Sequence, residues 1–202
     1  FGNLTRNNFH DLYMSNIIMK ACAYENSPIS SVEFEAGDGD YGQFLSGNDG
    51  SATDLKLRIC VAQGNRLINF YLFSGGYNYR FETLLNDGDD RIAFTGERHG
   101  VAAPVNPEGL PNRTFDRMTD SIRSLTGYED FLADSKPVYD NITYGFIPEY
   151  YKTECRYHNS AKAIDFAESL ERARGYSFWD SAIKSILLGG FNFNAINLER
   201  KW

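Results

Sequence analysis

Hydrophobic and polar positions in the first third of the chain switch between helical and strand spacing. Residues 9–24 and 51–64 have helical spacing, whereas 29–35 and 68–73 are short apolar runs bounded by turn-forming residues. The order is therefore helix, strand, helix, strand. The connection between the strands is long enough for a crossover helix, so we expect parallel strands and an α/β fold.

The sequence also predicts which helix faces point inward. In the first helix the apolar face comprises Leu12, Ile17, Met19 and Cys22. The second helix is expected to open with a capping box at residues 51–54 and to end at Gly64. Its predicted inner face comprises Leu55, Ile59 and Ala62.

The rest of the chain predicts a third helix and then a second α/β segment. A helix starting near Thr114 has a core stripe of Phe115, Met118, Ile122 and Leu125, and ends at Gly127. After a boundary near residues 133–137 come a strand (142–147), helices (160–174 and 178–188) and a last strand (193–198). We therefore expect two domains, 1–135 and 136–202, the second with too few strands to cover both faces of a sheet.

Composition and charge exclude several classes of function. The chain has 202 residues, 42% of them hydrophobic, which is enough for a real core. Its net charge is −7 without a basic cluster, so we expect no nucleic-acid partner. No apolar run reaches the roughly 18 residues of a membrane span.

The 15 Phe and 13 Tyr fit an aromatic core, which composition alone favours, or a sugar-stacking cleft. Because Phe1 opens without Met or a signal sequence, we expect a fragment of a longer chain.

No metal or cofactor site is predicted. The three cysteines are far apart, and His10, His99 and His158 lack metal-ligand spacing, so each histidine is expected to be structural or on the surface. The acidic loop around Asp38 and Asp40 lacks the final glutamate of a calcium-binding loop. Gly75-Gly76 lacks the lysine of a phosphate-binding loop.

The strand at 29–35 carries the most informative chemistry. Glu33 and Glu35 are two residues apart and are expected on one face, with Val32 and Phe34 on the other. A carboxylate within an apolar strand is costly unless it is paired or used. Two interpretations stay open at this point: ion-paired structural carboxylates, or a catalytic carboxylate at the end of a barrel strand.

A second candidate segment follows the strand at 68–73. The two glycines Gly75 and Gly76 allow a tight turn, which would present Asn78 and Tyr79 toward the same opening as Glu33. The alternative is an ordinary turn without a functional role.

Taken together, three segments resemble family 35 glycoside hydrolases, the retaining β-galactosidases. Glu33-Phe34-Glu35-Ala36-Gly37, followed by Asp40-Tyr41-Gly42-Gln43, resembles the segment of the family that carries the nucleophile. Residues 69–79 resemble its eighth barrel strand, and Ala103-Pro104-Val105 with Gly109 resembles the segment leading into its last barrel helix. The order and spacing of the three are more specific than any one alone.

The resemblance implies the C-terminal portion of a TIM (β/α)₈ barrel followed by the start of a second α/β, amidotransferase-like domain. It implies that Glu33 is the nucleophile on the seventh strand and that Glu35, Tyr41, Asn78 and Tyr79 line the sugar subsite. The acid/base glutamate belongs to the fourth strand, which is not in this chain. A full barrel needs about 250 residues. The implied partners are a β-galactoside-like carbohydrate and the remainder of the barrel, with no cofactor, and the chain alone is expected to be inactive.

The chain departs from the family pattern at two places. Asp38 stands where the family usually has Trp, and residues 99–102 replace its Tyr-Asp-Tyr-Asp run. Both indicate a divergent branch, in which galactose specificity is open. Residues 138–202 resemble the domain that follows the barrel in family 42 β-galactosidases.

Two other hypotheses compete with the glycosidase. One is a non-catalytic carbohydrate-binding or assembly module with a self-contained flavodoxin-like sheet, and the other is a hydrolase that has lost activity. The glycosidase requires the Glu33 carboxyl to face an open, sugar-sized hollow without a permanent cationic neighbour. A carboxyl turned outward to bulk solvent, or packed under other residues with no hollow beside it, would end this interpretation. Oligomeric state, including a homo-oligomer, and compartment, cytoplasmic or secreted, stay open.

Overall fold

The computed structural model describes residues 4–24, 27–36, 50–79, 98–151 and 160–200 of the chain. Over these residues the fold is mixed α/β, with short two-stranded sheets and several helices. The elements in chain order are α1 (Phe9–Cys22), β1 (Ile29–Phe34), α2 (Ser51–Ala62), β2 (Asn65–Phe70), β3 (Gly76–Tyr77), β4 (Arg98–His99), α3 (Phe115–Thr126), α4 (Glu129–Asp134), β5 (Thr143–Phe146), a 3₁₀ turn (Pro148–Tyr151), α5 (Ala161–Arg172), a π-helical segment (Ala173–Ile183), α6 (Lys184–Leu188) and β6 (Asn194–Asn197).

The chain forms two compact units that are not contiguous in sequence. Unit 1 contains Phe1–Thr5 and Ser30–Ser135, and unit 2 contains Arg6–Ile29 and Lys136–Trp202. Residues 136–202, predicted as a separate domain, therefore share their unit with α1, which the sequence had placed in the barrel segment. The contact pattern rather than chain order defines the units, because α1 packs on β6 within unit 2.

In unit 1, β1 and β2 are neighbours in one sheet, joined through α2. The Asn69 side chain donates to the Val32 carbonyl at 2.9 Å, and the Tyr71 amide donates to the Phe34 carbonyl at 3.0 Å. Both contacts advance along the two segments in the same direction, so the strands run parallel, as the crossover helix requires. The second strand is displaced from its predicted range of 68–73, since Asn65 already pairs and the chain turns after Phe70.

The predicted inner face of α2 is wrong. Leu55 and Ala62 are exposed and Ile59 is half-buried, whereas the buried positions are Thr53, Asp54, Lys56, Leu57 and Cys60. The predicted capping box is also absent, because Gly50 in the left-handed region is the N-cap and no side chain caps the helix. The helix is rotated relative to the prediction because its buried polar residues bond to the segment after β1 and to α3 instead of facing solvent.

A loop rich in backbone contacts follows β2. The Gly75 amide donates to the Val105 carbonyl at 2.7 Å, and the Val105 amide donates to the Phe73 carbonyl at 3.0 Å. Gly75 also lies against Gly100: a Cβ on Gly75 would meet the Gly100 carbonyl oxygen at 2.6 Å. The approach of the two backbones is possible because neither residue has a side chain. Nearby, β3 and β4 pair antiparallel, with Gly76 opposite His99.

Unit 2 is built around the parallel pair β5 and β6, in which Thr143 lies opposite Asn194 and Phe146 opposite Asn197. The Tyr13 hydroxyl of α1 donates to the Phe193 carbonyl and accepts from the Phe193 amide, both at 2.8 Å. The hydrophobic core of the unit comprises Tyr13, Met14, Ile17, Phe146, Ile183, Phe193 and Ala195.

The two helices predicted at 160–174 and 178–188 form one helical run in the structure. Residues of α5 pass directly into the π-helical segment and then into α6. Gly175, which separated the two predicted helices, lies within the π-helical turns. None of the helices among the described residues is long and apolar enough to cross a membrane.

Candidate functional site

The end of β1 places the two predicted carboxylates in different surroundings. Phe34 is 1% exposed and packs edge-on against Phe70, with ring centroids 5.2 Å apart. Glu33 is exposed, and Glu35, just past the strand, is half-buried. Val32, predicted to share a face of the strand with Phe34, is 71% exposed. Phe34 is buried because it contacts Phe70 at the C-terminal end of the strand, whereas Val32, two residues earlier, is exposed.

The first turns of α2 hold the segment that follows β1. The Thr53 hydroxyl donates to the Ala36 carbonyl at 3.1 Å, and the Lys56 ammonium donates to the Glu35 carbonyl at 3.0 Å. Lys56 also lies over the Phe34 ring, 4.6 Å from its centroid, and is only 5% exposed. Burial lowers the pKa of Lys56, opposed by the nearby Glu35 charge.

A buried carboxylate joins α2 to α3. Asp54 accepts from the Ser121 hydroxyl at 2.7 Å, from Arg58 Nε at 2.7 Å and from Arg117 Nε at 3.1 Å. Burial alone would raise the pKa of Asp54, but the hydrogen bonds from Ser121, Arg58 and Arg117 outweigh it and lower the pKa below its ordinary value. Asp54 is therefore an ionised structural carboxylate that fixes α2, and with it the end of β1.

The end of β2 lies beside the end of β1. Tyr71, whose amide bonds to Phe34, is 42% exposed, and its ring meets that of His99 edge-on at 6.2 Å. The peptide bond between Tyr71 and Leu72 is cis. The end of β1 thus lies beside the Tyr71 backbone, and the Tyr71 ring in turn contacts His99; the sequence had assigned neither residue to the site.

Two of the other predicted subsite residues, Asn78 and Tyr79, follow a strand of a different sheet. Asn78 is half-buried and Tyr79 is 71% exposed, and both follow β3, which pairs with β4. Next to them, Glu108 accepts from Tyr77 and Arg98 at 2.8 Å each. Tyr41 lies outside the described residues, as does the predicted acidic loop around Asp38 and Asp40.

That the Glu33 carboxyl faces an open, sugar-sized hollow stays a prediction. A glycosidase nucleophile works beside a second carboxyl about 5 Å away and against an enclosed sugar. Among the residues that the structure describes, the Glu33 side chain is exposed rather than enclosed. This counts against an assembled active site formed by these residues alone.

Sequence reasoning missed the residues that support the end of β1. Thr53, Asp54, Lys56 and Ser121 are polar residues in helices predicted to bury only apolar side chains. One signal was present in the sequence. Thr53, Asp54 and Lys56 lie within one helical turn of each other, next to the turn that carries the apolar residues Leu57 and Cys60. All five residues are buried.

Unit 2 holds a separate titratable cluster. His10, expected to be structural or on the surface, is fully buried, and its Nε2 atom lies 2.8 Å from Asp180 Oδ1 and 3.5 Å from Asp11 Oδ1. A histidine and two carboxylates could hold a divalent cation. The hydrogen bond between His10 and Asp180 equally joins α1 to the π-helical segment, which accounts for the cluster without an ion.

Comparison of the chain with models of known protein families gives no match, and comparison with curated proteins gives none.

Proposed function

We propose that this chain is the C-terminal part of a retaining glycoside hydrolase resembling the family 35 β-galactosidases, with Glu33 as its nucleophile. The intact enzyme would cleave a terminal β-linked galactose or a related β-glycoside. The proposal rests on the family resemblance of three segments. The observation that favours it is the proximity of those segments to one another in unit 1.

Two sets of contacts connect the three segments. The strand bearing Glu33 is parallel and adjacent to β2, with the Tyr71 amide bonded to the Phe34 carbonyl. The loop after β2 is in turn bonded to the Ala103-Pro104-Val105 segment through Gly75 and Phe73. Consecutive parallel strands joined by a helix are the unit from which a (β/α)₈ barrel is built.

The proposed reaction has two steps. The Glu33 carboxylate attacks the anomeric carbon and forms a glycosyl ester as the bond to the leaving oxygen breaks; that oxygen takes a proton from a second carboxylic acid. A water molecule, deprotonated by the same second carboxylate, then displaces Glu33 and releases the sugar with retained configuration. The family resemblance assigns the second carboxyl to the fourth barrel strand.

Because the Glu33 side chain is exposed in this chain, the proposal requires further residues to enclose it. The cleft has to be completed by the other barrel strands, so the 202-residue chain alone should show no turnover. The alternative function is a non-catalytic carbohydrate-binding or assembly module, which the exposure of Glu33 favours because such a module needs no enclosed nucleophile.

The decisive experiment joins the full 202-residue chain to the upstream barrel strands of a family 35 β-galactosidase. We expect the chimeric enzyme to hydrolyse 4-nitrophenyl β-galactoside, and Glu33→Gly to reduce kcat by about 10³-fold or more. Added azide should restore turnover and yield the α-galactosyl azide, because azide attacks from the face that Glu33 occupied. Glu129→Gln, at an exposed position of α4, is the matched control and should leave kcat unchanged.

A folded chimeric enzyme that binds galactose without hydrolysing the glycoside would support the binding module. Wild-type rates in the Glu33→Gly enzyme would refute the assignment of the nucleophile.

A further inference from the structure

We propose that Lys56 is a positioning residue that holds the end of β1, and with it Glu33, in a fixed orientation. This inference rests on the proposed glycosidase function. Lys56 does not need to touch the sugar, because it acts through the backbone of the segment that carries the nucleophile.

The geometry places Lys56 behind the end of the strand. Its ammonium donates to the Glu35 carbonyl at 3.0 Å and lies 4.6 Å from the centroid of the Phe34 ring. The two residues that Lys56 contacts, Phe34 and Glu35, come immediately after Glu33 in the sequence. One residue further, Thr53 binds the Ala36 carbonyl at 3.1 Å, so two consecutive carbonyls after the strand are held by α2.

The choice of a lysine at this position needs an explanation, because burying an ammonium group costs free energy that an apolar side chain would not. Lys56 is 5% exposed, so it has lost most of its hydration. The contacts that offset this loss are the Glu35 carbonyl, the Phe34 ring face and the Glu35 charge. These three contacts lie on the segment 34–35, and Cys60 on α2 adds a smaller electrostatic effect that also favours the charged lysine.

The turn of α2 that carries Lys56 is itself fixed by hydrogen bonds to α3. The neighbouring Asp54 is tied to α3 through Ser121 and Arg117, which fixes the turn of α2 that carries the lysine. A rigid supporting residue is what a nucleophilic carboxylate requires, because a displacement of about 1 Å can cost about 10²-fold in rate.

The first test measures amide hydrogen exchange in the 202-residue chain over residues 29–36. We expect Lys56→Met to raise the exchange rate of this segment about tenfold, whereas Lys56→Arg, which keeps a charged donor, should stay within about threefold of wild type. Lys162→Met, at an exposed position of α5, is the matched control and should have no effect. A wild-type exchange rate in Lys56→Met would overturn the proposal.

The second test compares wild type with Lys56→Arg as the pH is raised. The ionisable groups facing Lys56 are Glu35 after β1 and Cys60 on its own helix, and burial lowers the pKa of Lys56. Its proton is therefore lost below the ordinary lysine pKa of about 10.4. As pH rises through that point, protection of 29–36, corrected for intrinsic exchange, should fall in wild type and persist in Lys56→Arg, because arginine does not titrate. A merely structural role would leave wild type and Lys56→Arg alike, and that result would refute the proposal.

The chimeric enzyme separates this proposal from the function on which it rests. There, Lys56→Met should lower kcat about tenfold with KM nearly unchanged, because the effect is on orientation and not on sugar binding. An unaffected kcat in an active chimera refutes the positioning role. An inactive chimera refutes the glycosidase, and the exchange measurements then decide separately whether Lys56 anchors the strand.

Discussion

The interiors of the two units differ in chemistry. In unit 2, α1 packs on β5 and β6 through a continuous apolar cluster that includes Met14, Ile17 and Phe193. In unit 1, the contacts around the end of β1 involve buried polar groups, with Asp54 bonded to three side chains and Lys56 to a backbone carbonyl. Apolar packing therefore stabilises the interior of unit 2, whereas hydrogen bonds to buried polar groups hold the end of β1 in unit 1.

This difference indicates where stability and function lie. Apolar packing tolerates few changes of volume, but the hydrophobic effect that drives it is non-directional. Charged hydrogen bonds cost more to bury, yet they fix orientation. The candidate nucleophile lies in the unit that uses the second kind of interaction, and the following substitutions test that contrast in order of decreasing expected effect.

The largest effect is expected from the core of unit 2. Phe193 is 1% exposed, so Phe193→Ala should reduce the free energy of unfolding of unit 2 by about 3–5 kcal/mol. Phe191, two residues away, is 51% exposed, and Phe191→Ala should change it by about 0.5 kcal/mol or less. Urea denaturation followed by hydrogen exchange over β5 and β6 measures both. Similar losses for the two variants would show that unit 2 has no packed core at Phe193.

The next effect is expected in the glycine loop of unit 1. A methyl group on Gly75 would lie 2.6 Å from the Gly100 carbonyl oxygen and 2.7 Å from that of His99, and backbone atoms cannot move aside cheaply. Gly75→Ala should therefore destabilise unit 1 by about 3 kcal/mol. Gly76→Ala is the matched control, because a methyl group there meets nothing within 4 Å. Equal melting temperatures for the two variants would contradict the close approach of the two loops.

The polar interior of unit 1 is tested at Asp54. Because Arg58 and Arg117 are about half exposed and can be rehydrated, we expect Asp54→Asn to cost about 1–2 kcal/mol at pH 7. Asp116→Asn, at an exposed position of α3, is the control.

The pH dependence at Asp54 has a definite sign. Its pKa is lower in the folded chain than in the unfolded chain, so the unfolded chain binds more protons as pH falls. The stabilisation by Asp54 is complete above the ordinary aspartate pKa of about 3.9 and is lost as pH falls through the lower folded value. Urea denaturation at several pH values should show a weaker acid destabilisation in Asp54→Asn than in wild type. An identical acid dependence in both proteins would exclude Asp54 as its source.

Hydrophobic spacing predicted the elements better than it predicted their faces. The strand 29–35 and the helix starting near Thr114 are found within a residue or two, because each has a strong apolar pattern with a clear stop. The α2 helix was found at the right place but with the wrong face inward, since Leu55 is exposed and Lys56 buried. A pattern rule assigns charged residues to solvent and cannot anticipate partners contributed by another segment.

The candidate site was predictable only as far as it is local in sequence. Glu33 and Glu35 were identified from the strand that carries them. The supports at Lys56 and Asp54 depend on contacts with residues 21 and 67 positions away, at the Glu35 carbonyl and Ser121. The grouping of α1 with residues 136–202 is also long-range, since the Tyr13 hydroxyl bonds to Phe193. No single segment of the sequence contains that information.

The smallest effect is expected at the surface of unit 1, where Glu108 accepts hydrogen bonds from Tyr77 and Arg98. These groups are exposed, and water can replace each bond, so Glu108→Gln should leave the unfolding midpoint unchanged. The contrast with Asp54 is the informative part, because both carboxylates bind arginine and differ mainly in burial. A loss of stability in Glu108→Gln as large as that in Asp54→Asn would mean that charge pairing, and not burial, determines how unit 1 is held together. Raising the salt concentration then separates the two explanations, because screening weakens an exposed pair far more than the buried bond from Ser121 to Asp54.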